Sequence, residues 1–202
     1  VSGLRFLADR NSGSASIAGR ITATVIRNAI RVAPPPAGRG GSYGLLAEAT
    51  TGWSTTIRPV VNVVVQSNTI ETTGTPDITC GVALQDNSRG TSTGGRALGT
   101  IVGNDITAAA ADRSLGICLG ARLPSGVSYG FRSAHVYENT IRGGGSGANN
   151  TPAGSIPAYY SASIYTLGDR AETSPDNVGA NIFNNFISGG DRASDLTYGI
   201  FI

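Results

Sequence analysis

The chain reads Val65-Gln66-Ser67-Asn68-Thr69-Ile70 at one of five places where an Asn lies three residues after a β-branched aliphatic residue and two before an Ile. The five are Asn28, Asn68, Asn104, Asn139 and Asn185. Successive copies are 40, 36, 35 and 46 residues apart. A short unit that recurs with connections of unequal length is typical of a β-solenoid rather than of a helical repeat or a propeller.

A second pattern lies between the Asn copies and begins with a small residue followed by an aliphatic one. Its six copies begin at Gly3, Gly44, Gly81, Gly116, Ser163 and Gly199. The residues that follow alternate between apolar and mixed positions, and this period of two indicates strands. Because each strand meets its own copy one turn later, we expect parallel sheets with about 4.8 Å between strands. Three strands per turn are predicted: the Gly-led strand, the strand that ends near the Asn, and a short strand after it.

The Asn residues have a structural explanation that we prefer to a catalytic one. A sharp corner favours a residue that tolerates left-handed backbone angles, as Asn does, so we expect each Asn to take that conformation. Identical amides in successive turns can also hydrogen-bond along the stack. We therefore predict an Asn ladder and, beside it, an interior column of aliphatic side chains. The column would consist of Ile30, Ile70, Ile106, Ile141 and Ile187.

These repeats resemble those of the right-handed parallel β-helix superfamily, which includes pectate lyases, NosD-like proteins and many phage depolymerases. The resemblance covers nearly the whole chain through Gly-Ile-x-Leu and Ile-x-x-Asn-x-Ile patterns. It implies an all-β fold, a right-handed parallel β-helix of about five coils of three strands, with long variable loops in a single domain over residues 1–202. It implies no single activity, because lyases, hydrolases, epimerases, adhesins and non-catalytic scaffolds share this backbone.

The composition fits an extracellular or cell-surface domain. The 29 Gly residues and the 14% charged residues suit turn-rich stacked sheets with an aliphatic interior. No apolar run reaches about 18 residues, so no membrane span is expected. A net charge of +2 without a basic stripe argues against nucleic acid as a partner. The lack of Met and of a visible signal segment suggests a mature product or a fragment of a longer protein.

Metal and cofactor sites are not expected, because one His and two separated Cys do not supply clustered ligands. Strand alternation predicts that Cys80 points inward and Cys118 outward. On that basis the two thiols would not pair.

Two outward series of residues become aromatic toward the C-terminal end of the sequence. One series ends in Tyr165 and Phe201, and the other in Tyr137 and Phe183. Exposed apolar surface normally has a cover or a partner. The loops could fold over these series, or the four aromatic side chains could bind sugar rings or another protein.

Catalysis on a uronate would need a base, an acid and a group that neutralises the carboxylate. The best local candidates are His135, Tyr137, Glu138, Arg142 and Asp105. The segment Tyr129-Gly130-Phe131 followed by His135 is similar to an alginate epimerase motif. However, Arg132 and Ser133 replace the Asp and Pro of that motif, and the acid is lost.

Two hypotheses of different class therefore remain open. The first is a non-catalytic extracellular scaffold that self-associates through solenoid ends or apolar faces and could also bind polysaccharide. The second is a polysaccharide-processing lyase, hydrolase or epimerase. We prefer the first, because no paired carboxylates or Arg and Lys bases repeat on one face.

Overall fold

The computed structural model of the protein describes residues 2–10, 19–33, 41–51, 58–73, 78–86, 95–109, 113–120, 131–143, 160–167, 177–188 and 197–201. The regular secondary structure in these ranges is all β-strand. The strands are β1 (Ser2–Arg10), β2 (Arg20–Ile26), β3 (Ala29–Val32), β4 (Gly41–Thr51), β5 (Val60–Gln66), β6 (Thr69–Thr72), β7 (Ile78–Asp86), β8 (Arg96–Val102), β9 (Asp105–Thr107), β10 (Arg113–Gly120), β11 (Phe131–Tyr137), β12 (Thr140–Arg142), β13 (Tyr160–Leu167), β14 (Asn177–Phe183), β15 (Phe186–Ser188) and β16 (Thr197–Phe201). No helix that could span a bilayer occurs in these ranges.

Within the described residues the strands form three parallel sheets, and every third strand joins the same sheet. Sheet 1 has the order β1-β4-β7-β10-β13-β16, sheet 2 the order β2-β5-β8-β11-β14, and sheet 3 the order β3-β6-β9-β12-β15. Three consecutive strands, one from each sheet, make one repeat. The prediction of an all-β fold with stacked parallel strands is confirmed, and the arrangement is consistent with a β-solenoid.

The hydrophobic core lies between the three sheets, because one cluster of buried residues draws side chains from all of them. Val82 comes from sheet 1, Val65 from sheet 2 and Ile106 from sheet 3, and all three are fully buried. The predicted Ile column is present, with Ile30, Ile70, Ile106, Ile141 and Ile187 paired in register along sheet 3. Equivalent residues of successive repeats therefore stack on one another.

The five ladder Asn residues form one continuous hydrogen-bonded column at the corner between sheets 2 and 3. The backbone N–H of Asn68 donates to Oδ1 of Asn104 at 2.9 Å, and Nδ2 of Asn68 donates to the same atom at 3.0 Å. Nδ2 of Asn68 also donates to the carbonyl oxygens of Val25 and Gln66. Equivalent bonds join Asn28 to Asn68, Asn104 to Asn139 and Asn139 to Asn185. Each amide thus satisfies backbone groups that the bend removes from regular sheet pairing.

The backbone at this corner differs from our expectation, because the left-handed conformation belongs to the residue before each Asn. The residues concerned are Arg27 (φ 55°), Ser67 (φ 53°), Gly103 (φ 63°), Glu138 (φ 56°) and Asn184 (φ 53°). The prediction that the ladder Asn takes the left-handed conformation is therefore wrong. The Asn is selected for its side-chain hydrogen bonds, and the preceding position tolerates side chains of different kinds.

Close packing explains why Gly44 and Gly81 lie within strands of sheet 1, each three residues after the first residue of its strand. A Cβ atom on Gly44 would lie 2.3 Å from Cγ2 of Ile70, and one on Gly81 would lie 2.2 Å from Cγ2 of Ile106. Both contacts are far shorter than a van der Waals contact between carbon atoms. At Ile70 and Ile106 the interior column therefore leaves no room for a side chain on Gly44 and Gly81.

Replacing Asn104 with Ala should lower the free energy of unfolding by roughly 2–5 kcal/mol. The change leaves the buried Asn68 N–H and the Val65 carbonyl oxygen without the partner that Asn104 supplies. Urea denaturation monitored by circular dichroism measures the loss. Asn62, which is exposed on β5, offers a matched control, and Asn62→Ala should change the value by less than about 0.5 kcal/mol. Equal effects of the two substitutions would contradict a stabilising role for the ladder.

Candidate functional site

The outer face of sheet 2 carries regular rows of side chains in the part of the chain that the structure describes. Its side chains alternate with the core residues of β2, β5, β8, β11 and β14. Parallel pairing without a register shift aligns them in four rows across the sheet. The rows are Arg20, Val60, Arg96 and Phe131; Thr22, Asn62, Leu98, Ser133 and Gly179; Thr24, Val64, Thr100, His135 and Asn181; and Ile26, Gln66, Val102, Tyr137 and Phe183.

An aromatic pair lies at one end of the last row. The rings of Tyr137 and Phe183 stack with their centroids 4.9 Å apart and their planes 3° from parallel. Direct pairing of the two residues on adjacent strands produces this geometry, because parallel strands lie about 4.8 Å apart. Phe183 is nearly half exposed, so the pair presents apolar surface to solvent.

Polar groups lie in the row next to the aromatic pair, and a charged group lies three rows away on the same face. His135 is exposed and lies opposite Asn181 on the neighbouring strand, with 3.2 Å between Nδ1 of the imidazole and Nδ2 of the amide. An amide nitrogen donates, so the imidazole nitrogen accepts in this contact. In the first row, the guanidinium of Arg96 lies over the ring of Phe131 with 5.2 Å from Cζ to the ring centroid. This is the range of a cation–π interaction.

The charge on this face is one-sided. None of the outward positions of sheet 2 that the structure describes is Asp or Glu, whereas Arg20 and Arg96 are both exposed. An anion that approached the first row would therefore meet Arg20 and Arg96, whereas the exposed carboxylate of Glu138 lies at the corner next to Tyr137.

The predicted catalytic residues are divided between two faces. His135 and Tyr137 lie on the outer face of sheet 2, whereas Asp105 and Arg142 lie on sheet 3, where Nη1 of Arg142 donates to Oδ1 of Asp105 at 2.6 Å. Glu138 lies exposed at the corner between them. Among the described side chains, no hydrogen bond, ion pair or ring contact joins His135 or Tyr137 to the other three. The candidate residues Asp105 and Arg142 form an ion pair with each other on sheet 3.

The predicted aromatic residues also belong to two sheets. Tyr137 and Phe183 stack on sheet 2, whereas the backbones of Tyr165 and Phe201 pair on sheet 1. The side chains of Tyr165 and Phe201 lie outside the described part of the structure, so their role stays a prediction.

Sequence reasoning did not identify three notable residues. Two of them, Asn181 and Arg96, were missed. Asn181 and His135 each lie four residues before the ladder Asn of their own repeat. Arg96 and Phe131 each lie eight residues before theirs. Counting back from each ladder Asn would have paired them. Arg132 was considered only as a replacement in a motif, yet its side chain is fully buried and alternates with the core residues Ala134 and Val136.

Comparison of the chain with protein-family models, curated proteins and solved structures gave no match. Within the described ranges, no three His, Cys, Asp or Glu side chains are grouped as a metal ion would need. The arrangement on sheet 2 can bind through ring stacking, amide and imidazole hydrogen bonds and guanidinium charge.

The stacking of Tyr137 on Phe183 should be measurable as a coupling energy. In a double-mutant cycle, Tyr137→Ala and Phe183→Ala should be less than additive by about 0.5–1.5 kcal/mol of unfolding free energy. Ile26, which is exposed in the same row on β2, provides the control. A cycle of Ile26→Ala with Phe183→Ala should show additivity within about 0.5 kcal/mol, since β2 and β14 are at opposite edges of the sheet. Additivity in both cycles would contradict the stacked geometry.

Proposed function

We propose that the chain is a single right-handed parallel β-helix domain of about five coils, related to the pectate lyase-like superfamily. We infer that it is a non-catalytic extracellular scaffold that binds an acidic polysaccharide along the outer face of sheet 2. The three parallel sheets around one core and the strong preference of parallel crossovers for right-handed connections support the fold.

The observation that carries the proposed function is the stacked pair Tyr137 and Phe183, exposed on a regular sheet face beside His135 and Asn181. Aromatic side chains offer a large apolar area at a low entropic cost and suit the apolar faces of sugar rings. The amide and imidazole groups in the neighbouring row can bond hydroxyl groups of the same chain. A polysaccharide is also extended and repetitive, as the rows of the sheet are.

The charge distribution supports an acidic polysaccharide over a neutral one. Arg20 and Arg96 lie in one row of a face on which the structure describes no carboxylate. A guanidinium presents several donors in a planar fork that matches a carboxylate or a sulfate. Uronates and sulfated sugars are therefore the proposed ligands.

A second candidate function is polysaccharide processing, and His135 is the specific observation that favours it. The imidazole is exposed two residues before Tyr137, and both point outward from β11 toward the proposed ligand. A base and a phenol so placed could serve proton transfer. The scaffold is preferred because the candidate residues Asp105 and Arg142 form an ion pair on another face.

Binding can be tested by affinity electrophoresis of the purified chain in gels that contain polygalacturonate, alginate or neutral dextran. Migration should be retarded more by the acidic polysaccharides than by dextran. Tyr137→Ala and Phe183→Ala should each weaken binding at least about tenfold, which corresponds to roughly 1.4 kcal/mol. Phe186→Ala removes an exposed ring from sheet 3 and should leave binding unchanged. Equal loss in all three variants, or no binding by the wild type, would contradict the proposal.

The same mixtures distinguish a scaffold from an enzyme when they are assayed for new reducing ends and unsaturated sugars. The wild type should produce neither above the level of a heat-denatured sample. If turnover is seen, His135→Ala should abolish it without changing the unfolding midpoint, and the processing function would replace the scaffold. Turnover that survives in His135→Ala would exclude His135 as the catalytic residue.

A further inference from the structure

A second hydrophobic cluster lies apart from the core, on the outer face of sheet 1. It packs buried and half-buried side chains from β4, β7 and β10. Its members are Tyr43, Leu46, Cys80, Ala83, Leu115 and Cys118. Both cysteines of the chain are therefore on the same face, and neither is in a disulfide.

The position of Cys80 contradicts the expectation that it points inward. Strand alternation predicts an inward side chain two residues before Val82, because Val82 and Leu84 belong to the core. The alternation breaks at Gly81, whose backbone lies against Ile106 of sheet 3 and leaves no room for a side chain. Cys80 is consequently directed to the outer cluster, on the same side as Ala83.

The break in alternation places both thiols in the same outer cluster, three positions apart along two adjacent strands. Cys80 pairs in register with Leu115, and Cys118 pairs with Ala83 on the same two strands. The Sγ atom of Cys80 donates to the carbonyl oxygen of Val82 at 3.2 Å. The side chain of Cys118 packs against the same cluster and is close enough to interact with the Cys80 thiol. Burial raises the pKa of the Cys80 thiol well above its usual range, and the neighbouring Cys118 raises it further. Cys80 is fully buried, whereas Cys118 is partly accessible.

We propose that Cys80 and Cys118 form an intrachain disulfide when the chain meets a small-molecule disulfide, and that this bond joins β7 to β10. The unequal burial of the two thiols sets the order of the steps. Cys118, which solvent reaches, loses its proton and its thiolate attacks one sulfur of the oxidant. A mixed disulfide forms, and the other half of the oxidant leaves as a thiolate that takes up a proton.

Cys80 then completes the exchange from within the cluster. Its thiol loses a proton, its sulfur attacks Sγ of Cys118, and the second half of the oxidant leaves as a thiol. Two protein thiols are oxidised and one disulfide is reduced to two thiols, so atoms and electrons balance. The new bond links two adjacent repeats and restricts the unfolded chain between positions 80 and 118.

The test is incubation of the reduced, purified chain with oxidised glutathione, followed by intact mass measurement and proteolytic mapping. The expected product has lost two hydrogen atoms, has no titratable thiol after denaturation, and yields one crosslinked peptide that contains Cys80 and Cys118. Its midpoint of thermal unfolding should rise by roughly 5–15 °C relative to the reduced chain. Reduction with a dithiol should reverse the shift.

Two single substitutions serve as matched controls and keep the proposal falsifiable. Cys80→Ala should retain a stable glutathione adduct at Cys118, whereas Cys118→Ser should remain unmodified because the remaining thiol is buried. Neither variant should show the shift in the unfolding midpoint on oxidation. Two titratable thiols, a persistent mixed disulfide or a disulfide-linked dimer in the oxidised wild type would each overturn the proposal.

Discussion

The Asn ladder is the interaction on which the rest of the structure depends. At each corner between sheets 2 and 3 the backbone turns through one left-handed residue, and the regular pairing of N–H and C=O groups stops. The amide of Asn104 replaces that pairing, because it accepts from Asn68 and donates to the carbonyl oxygens of Val65 and Val102. Since buried backbone groups must be hydrogen-bonded, this amide makes the corner possible. The alignment of the Ile column and of the rows on sheet 2 follows from the same register.

Much of the fold could be predicted because a stacked parallel architecture repeats its side-chain environments. The spacing of Asn68 from Ile70 was enough to predict a ladder and an interior column, since each copy meets an equivalent copy. The conformation of the corner was not predictable in the same way. The residue in the left-handed conformation is Gly in only one of the five copies, Gly103. Arg and Glu, which occupy this position as Arg27 and Glu138, have no marked preference for left-handed backbone angles. A break in alternation such as that at Gly81 also depends on a contact from another sheet.

The candidate site was predicted in part for the same reason. Alternation correctly placed His135 and Tyr137 on one outer face, and the shared distance from the ladder brought Phe183 against Tyr137. The grouping of Asp105 with His135 was not found among the described contacts, because closeness in the repeat does not determine on which sheet a side chain emerges. Asp105 follows its ladder Asn, so it belongs to sheet 3 and pairs there with Arg142. Position relative to the corner therefore decides which residues can act together.

The two outer faces differ in a way that bears on function. On sheet 1 the outward residues Leu46 and Ala83 are buried, so the middle of that face contributes to stability and holds the two thiols. On sheet 2 the outward residues His135 and Phe183 are exposed, although the same repeats supply both faces. A dissolved ligand can reach only the exposed side chains. On that exposed face the aromatic pair Tyr137 and Phe183 lies in one outermost row, and the cations Arg20 and Arg96 lie in the other. Apolar surface and positive charge are therefore both accessible on sheet 2, but at different ends of its strands.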